Sequence, residues 1–353
     1  MRTNILILVA SLAIAFTSCQ KSDPEFNQVR TIENIDGLHT GRVLFYDKQL
    51  SVNNTTACAS CHRQQFAFAD NVSLSTGFNN QRTLRNSPPI QNLRNDNEIF
   101  FPGFTTGNLL FWDGRESNLT EMMLQPMVNH REMGIYDLEA LCDKLESIDY
   151  YQELFIRDYG DTSANLITPG RIAEQLSSFV SGITTFNKMD NTMFGMNLSP
   201  QEELGRQLFF NKYDCASCHH VTQFSGYLPQ DTNAFANIGL DVVYEDKGLG
   251  AISHNAKDNG RFRIPSLKNI GLTAPYMHDG RFSTLSEVID HYSHGIVNHQ
   301  NLDNRLKNQF GSSAKFNITD HEKSALISFL NSFTDFNLIT NPALSDPFVI
   351  KSK

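Results

Sequence analysis

Cys58-Ala59-Ser60-Cys61-His62 and Cys215-Ala216-Ser217-Cys218-His219 are two copies of one pentapeptide, starting 157 residues apart. C-x-x-C-H is the attachment signature of c-type haem. Each thiol adds to one haem vinyl group, and the adjacent histidine is held close enough to ligate the iron from one side. Structural zinc sites set two C-x-x-C units roughly 15–20 residues apart. A thioredoxin-type redox pair needs no histidine after its second cysteine. Four of the six cysteines are therefore thioether carriers rather than a disulfide framework, and two covalent haem c groups are expected.

Working outward, each motif sits in the same frame. Gly41-Arg42-Val43-Leu44-Phe45-Tyr46 precedes the first and Gly205-Arg206-Gln207-Leu208-Phe209-Phe210 the second. Pro88-Pro89-Ile90-Gln91-Asn92-Leu93 follows the first and Ile264-Pro265-Ser266-Leu267-Lys268-Asn269-Ile270 the second. Phe111-Trp112-Asp113-Gly114-Arg115 is matched by Met277-His278-Asp279-Gly280-Arg281. Landmarks recurring in one order mean a duplication. The expected fold is mainly α: two tandem cytochrome c-like haem domains with long loops, over residues 34–195 and 196–353. The last helix is free to pack back on the N-terminal domain. Ser199-Pro200 opens one helix. Thr284-Leu285-Ser286-Glu287 is a capping box for a helix through Tyr292. Arg171 to Phe186 and Asp320 to Phe333 have amphipathic helical spacing.

The two halves can be read against each other. From Asp113 and Asp279 they run ungapped, so Glu121 meets Glu287 and Pro126 meets Tyr292. In monohaem cytochromes c a distal ligand lies in a comparable place. Tyrosine can ligate haem iron; proline cannot. One haem is thus expected to be six-coordinate through His219 and Tyr292, with His291 and His294 as alternative ligands. The other, on His62, is expected to keep an open face where a small molecule such as peroxide binds. Chemistry there needs an acid/base near the distal oxygen atoms. Glu132, six residues past Pro126, is the candidate, against the alternative of a solvated surface carboxylate. Trp112, the only tryptophan, is polarizable and oxidisable. It is either an electron carrier between haems or a core aromatic.

The N-terminus reads as an export signal. Met1-Arg2-Thr3-Asn4 is basic, Ile5 to Phe16 is an apolar run too short to span a bilayer well, and Phe16-Thr17-Ser18-Cys19 comes next. This resembles a bacterial lipobox: residues 1–18 as signal peptide, Cys19 lipidated, 19–33 as tether. The alternative is an ordinary signal peptide with an incidental cysteine. A periplasmic protein lipid-anchored to a membrane, the outer membrane being one candidate, is the expectation, with anchoring and not spanning as the membrane role. The net charge of −9 makes nucleic acid an unfavoured partner. Cys142 reads as a small buried hydrophobe.

These residues carry a family resemblance. The chain resembles the bacterial dihaem cytochrome c peroxidases and their MauG-like relatives from Gly37 to Phe336. It does so through both C-x-x-C-H units, Phe111-Trp112-Asp113-Gly114-Arg115, Glu132-Met133-Gly134, and Leu272-Thr273-Ala274-Pro275-Tyr276-Met277-His278-Asp279-Gly280-Arg281. The resemblance implies His62 as proximal ligand of a peroxidatic haem and His219 as that of an electron-transfer haem. It implies Trp112 as the bridge and Glu132 as the distal catalytic group. It also implies a calcium ion held by the Asn86 side chain and the carbonyls of Thr273 and Pro275, a hard oxygen set. Two departures stand out. Tyr292 lies where well-studied dihaem peroxidases carry methionine, which resembles the MauG-like branch. Phe78, in Ser75-Thr76-Gly77-Phe78-Asn79, lies where many carry a distal histidine.

The expected function is reduction of hydrogen peroxide to water. Electrons from a small redox donor such as a cytochrome c would pass through the C-terminal haem and Trp112 to the open N-terminal haem. The alternatives are a MauG-like oxidase acting on a partner protein or organic substrate, and a non-catalytic electron-transfer cytochrome. A homodimer is compatible with the resemblance.

Overall fold

The computed structural model describes residues 28–32, 34–93, 109–160, 165–185, 197–219 and 234–352. Strands β1 (Gln28–Thr31) and β4 (Val349–Ser352) pair antiparallel, with Gln28 opposite Ser352 and Thr31 opposite Val349. The Arg30 guanidinium sits 4.4 Å from the Phe348 ring centre in this small unit. The second unit, residues 34–347, holds the helices.

Those helices are α1 (Thr40–Tyr46), α2 (Cys58–Cys61), α3 (Leu119–Val128), α4 (Leu138–Glu146), α5 (Asp149–Tyr159) and α6 (Pro169–Ser181). They continue as α7 (Pro200–Gln207), α8 (Leu249–Ser253), α9 (Leu285–Asp290), α10 (Asp320–Asn331) and α11 (Phe336–Thr340). Two short strands, β2 (Phe235–Ala236) and β3 (Phe262–Arg263), pair antiparallel. The chain is mainly helical. Local chemistry sets the helix starts. Ser199, Thr284 and Thr319 each cap through a reciprocal box with Glu202, Glu287 and Glu322, which satisfies amide groups left over at a helix N-terminus. Pro169 and Pro200 sit in first turns, where no amide hydrogen is required. α6 ends at Ser181 and α10 at Asn331, both short of the sequence expectation.

The duplication is visible as geometry. α1 crosses α6 so closely that a Cβ built on Gly41 would land on the Gln175 carbonyl oxygen. α7 crosses α10 the same way, with Gly205 on the Ala325 carbonyl. Each crossing helix is then tied down by an asparagine in the left-handed region, Asn92 (φ 58°) and Asn269 (φ 55°). Asn92 donates its amide to Ile183 O and accepts from Thr185 N; Asn269 does the same with Phe333 O and Asp335 N. The turn that carries Asp-Gly-Arg is also repeated. Phe111 and Met277, and Gly114 and Gly280, all have positive φ. Leu110 bridges Glu116 as Tyr276 bridges Phe282.

The C-terminal core joins Leu208, Phe209, Leu285, Ile289, Leu326 and Phe329. Its N-terminal counterpart buries Leu44, Phe45, Phe68, Tyr151, Leu154 and Phe155. The segment after α10 returns to the first half. Gln64 donates to the carbonyls of Leu338 and Asn341, and Tyr46 to that of Leu344.

Because neither glycine has room for a methyl group, Gly205→Ala or Gly41→Ala must push a helix pair apart. Each substitution is expected to cost about 1–3 kcal/mol of holoprotein stability. Denaturant unfolding checks this, and an unshifted midpoint would contradict the close crossing.

Candidate haem sites

Both C-x-x-C-H motifs form a single tight turn that closes with the histidine amide donating to the first cysteine's carbonyl, at 2.9 Å in each. In the first, α2 presents Cys58 and Cys61, and Ser60 Oγ accepts from the Ala57 amide. The His62 ring is aimed by Nδ1, which lies 3.0 Å from Phe68 O. Ala67 and Phe68 both adopt positive φ, which turns that carbonyl back toward the ring. In the second, His219 Nδ1 lies 3.3 Å from Pro265 O. A carbonyl can only accept, so Nδ1 carries the proton and Nε2 keeps its lone pair for a metal. Burial lowers the pKa of His62, which favours the neutral, ligating form.

Around the second motif lies a largely apolar cavity of about 350 Å³. Cys215, Cys218 and His219 line it, and so do Tyr292, Trp112 and Arg263. Two observations test whether a porphyrin suits it. The Tyr292 phenol is buried, its pKa is raised by that burial, and among the described residues its hydroxyl has no hydrogen-bond partner. Arg263 is likewise enclosed. Its Nε donates to Phe111 O at 3.0 Å, no carboxylate pairs with it among the described residues, and burial pushes its pKa down to about 10. A buried cation needs an anion, and an unsatisfied phenol needs a partner. A haem brings carboxylates and an iron, so the residues fit the group.

Tyr292 is not on a regular helix. α9 stops at Asp290 and His291–Gly295 form one π-turn. Its neighbours are engaged elsewhere: His291 Nε2 meets Ile238 O at 2.9 Å, and His294 is exposed. Of the three candidate ligands, only Tyr292 faces the cavity.

The residues near the first motif differ. Pro126 lies inside α3, which Asn118 caps. The Phe78 ring packs where a Cβ on Gly134 would lie, and the Phe78 amide donates to Glu132 O. Glu132 Oε1 accepts from Asn129 Nδ2 at 2.6 Å. Its carboxyl is pushed up to about 7 by burial, against Arg115 and Asn129, which pull it down. Its charge reaches both Cys58 and Cys61, so this carboxyl belongs to the first motif's surroundings.

Trp112 stands between the halves. Its Nε1 donates to Asn86 O at 2.8 Å, and its own carbonyl accepts from the Arg263 amide at 2.8 Å. Asn86, Thr273 and Pro275 line the cavity beside it. The Asn86 amide nitrogen donates to the carbonyls of Val72 and Ser73, leaving Oδ1 without a donor among the described residues. Among the described residues no cluster of three or more His, Cys, Asp or Glu could hold a metal ion, so a cation here would rest on amide and carbonyl oxygens. Cys19 and the export segment lie outside the described residues, and no described helix is long and apolar enough to cross a membrane. Sequence reasoning passed over Arg263; the signal was a charge in the otherwise apolar stretch Phe262 to Pro265.

A chain with two such motifs on a duplicated helical frame is a dihaem c-type cytochrome. Comparison with known proteins is more specific. A family model described as di-haem cytochrome c peroxidase matches residues 36–197. Cytochrome c551 peroxidase of Nitrosomonas europaea is 30% identical, over 74% of this chain and 73% of its own. Methylamine utilization protein MauG of Methylophilus methylotrophus is 27% identical, over 93% and 94%. The crystal structure of a MauG-like protein associated with microbial copper homeostasis superposes with a TM-score of 0.73 at 33% identity, covering 87% of this chain and 91% of that one. The chain belongs to the di-haem cytochrome c peroxidase and MauG family. Its relatives carry both names, which makes it an oxidoreductase of peroxidase or MauG-like type.

The asymmetry has a spectroscopic signature. Oxidised holoprotein is expected to give one high-spin and one low-spin ferric EPR signal, and Tyr292→Phe should convert the low-spin signal to high-spin. A spectrum with only low-spin haem would contradict the open face at His62.

Proposed function

We propose that the protein reduces hydrogen peroxide to water with electrons from a small redox donor such as a cytochrome c. One observation carries this: equivalent positions hold Pro126 on one side and the cavity-facing Tyr292 on the other, and the half-buried Glu132 lies near the first. When bound, the two haems supply one-electron redox chemistry and a metal face for peroxide.

The chain's own residues do the rest. His62 and His219, their Nδ1 atoms held by carbonyls, would ligate the irons through Nε2. Phe78 and Pro126 carry no ligating atom, so neither would close the second face of an iron held by His62. Glu132 takes the proton from the near peroxide oxygen and returns it to the leaving one. Peroxide, two electrons and two protons become two waters. Trp112, bonded to both halves, is the electron bridge. Arg263 would pair with a haem carboxylate. Asn86, Thr273 and Pro275 would hold a calcium ion that fixes the wall beside Trp112. The two haem domains divide near residue 195, and the leader with Cys19 places the protein in the periplasm on a lipid anchor.

A second reading, oxidation of a partner protein or organic substrate as in MauG-like enzymes, is favoured by Tyr292. Phenolate donates charge to iron and favours its oxidised state. Peroxide-dependent oxidation of a candidate substrate that outpaces donor-cytochrome oxidation would select it.

Glu132 works as a base only when ionised, and its pKa is raised to about 7. The rate with peroxide should therefore rise as pH increases through about 7 and fall away below it. Glu132→Gln should lose about 10²–10⁴-fold in kcat with both haems retained, and lose the pH dependence. Steady-state peroxide turnover with a reduced c-type cytochrome measures both, and unchanged turnover would remove the assigned role.

A further inference from the structure

One buried acid–phenol cluster has no place in the chemistry above. Asp47, 5% exposed, lies at the end of α1, where its Oδ1 accepts from the Gln49 amide at 3.0 Å. Its Oδ2 accepts from two phenols, Tyr150 at 2.6 Å and Tyr151 at 2.8 Å. The two rings are neighbours, with centroids 4.7 Å apart. Tyr151 is fully buried, and its helix α5 packs against α1, which also packs against α2, the helix that carries Cys58 and Cys61. Tyr150 is half-buried. The pair therefore leads from the first haem motif toward the surface without involving Trp112.

We propose that Tyr151 and Tyr150 form a second redox path to the N-terminal haem site, with Asp47 as their shared proton acceptor. The path rests on the peroxide reading above. A phenol that loses an electron becomes a strong acid, so its oxidation is favourable only where a base takes the proton at once. Asp47 Oδ2 is placed to do that. In the first step Tyr151 gives one electron to the oxidising equivalents that hydrogen peroxide leaves at the site, and its O–H proton passes to Asp47. In the second, Tyr150 gives an electron to the Tyr151 radical. Asp47 returns its proton to Tyr151 and takes the one from Tyr150. A small one-electron reductant at the surface then reduces the Tyr150 radical, Asp47 returns the proton to it, and the protons that peroxide consumes come from solvent. Two such passages supply the two electrons that convert one peroxide to two waters.

Burial, with Asp47 beside it, raises the Tyr151 pKa well above the ordinary range. The phenol thus stays neutral until the electron leaves. Tying α5 to the end of α1 requires one hydrogen bond. Two phenols converging on one carboxylate oxygen, the inner one sealed from solvent, is the arrangement that proton-coupled transfer requires.

The test uses holoprotein mixed with hydrogen peroxide in the absence of donor and frozen for EPR. Expected is an organic radical that narrows when the protein contains ring-deuterated tyrosine. Tyr151→Phe should abolish it. Tyr150→Phe should keep it but slow its quenching by ascorbate. Asp47→Asn keeps both phenols and should slow radical formation while raising its solvent deuterium isotope effect, so it and the deuterated wild type decide the matter if Tyr151→Phe fails to load haem. A radical that does not narrow, or that persists in haem-replete Tyr151→Phe, overturns the path and leaves the peroxide reading intact. Haem spectra that ignore peroxide altogether overturn both.

Discussion

Each half of the helical unit hangs on one helix crossing in which a glycine lies on the carbonyl of a later helix. Gly41 meets Gln175 and Gly205 meets Ala325, at distances no side chain allows. The crossing fixes where α6 and α10 end. Those ends fix Asn92 and Asn269, which accept left-handed backbone at small cost because a short polar side chain can bond locally. The asparagines in turn anchor the loops that carry Pro88 and Pro265. The Pro265 carbonyl faces His219 Nδ1, and His62 Nδ1 is held by Phe68 O with Pro88 also close. A contact between two helices thus sets the orientation of an imidazole a long way off in sequence.

On that shared frame the two sites diverge through one turn. α3 stays α-helical through Pro126 to Val128, whereas α9 yields to a π-turn at His291. A π-turn inserts an extra residue and rotates the side chains after it, a device common at functional sites. Here it sends His291 to the Ile238 carbonyl and leaves the Tyr292 phenol facing Cys215 and His219. Ser293 holds the turn by accepting from Phe316 N and Ile318 N. α3 has no such turn, and Phe78 and Gly134 fill one another's space instead. The frame is repeated, and one local backbone difference separates Tyr292 from its counterpart Pro126.

The legible part of the sequence was the part that is local or repeated. C-x-x-C-H, the capping boxes and the paired Asp-Gly-Arg turns each place their determinants within a few residues. The register of Pro126 with Tyr292 came from the repeat alone. So did the preference for Tyr292 over His291 and His294; the π-turn that turns one of these adjacent side chains to the cavity has no signature in that register. Asn86 entered only by family resemblance, since the carbonyls that orient its amide come from Val72 and Ser73. Arg263 and the Asp47–Tyr150–Tyr151 cluster were invisible for a shared reason. Their character comes from burial and from partners across the fold, and neither has a signature in spacing.

Arg263 also bears on Trp112. The two are bonded through the backbone, the guanidinium stem is anchored at Phe111 O, and the cation and the indole line the same cavity. In a low-dielectric interior that charge opposes a second one nearby. An indole that carries an electron becomes transiently positive as the electron departs, so the bare guanidinium would raise the energy of the bridge. A haem carboxylate paired with Arg263 cancels the charge and lowers that energy. On the proposed reading, the residue that would pair with a haem carboxylate is also the one whose neutralisation would ease electron passage through Trp112, and bridging would be tied to occupancy of the cavity that both line.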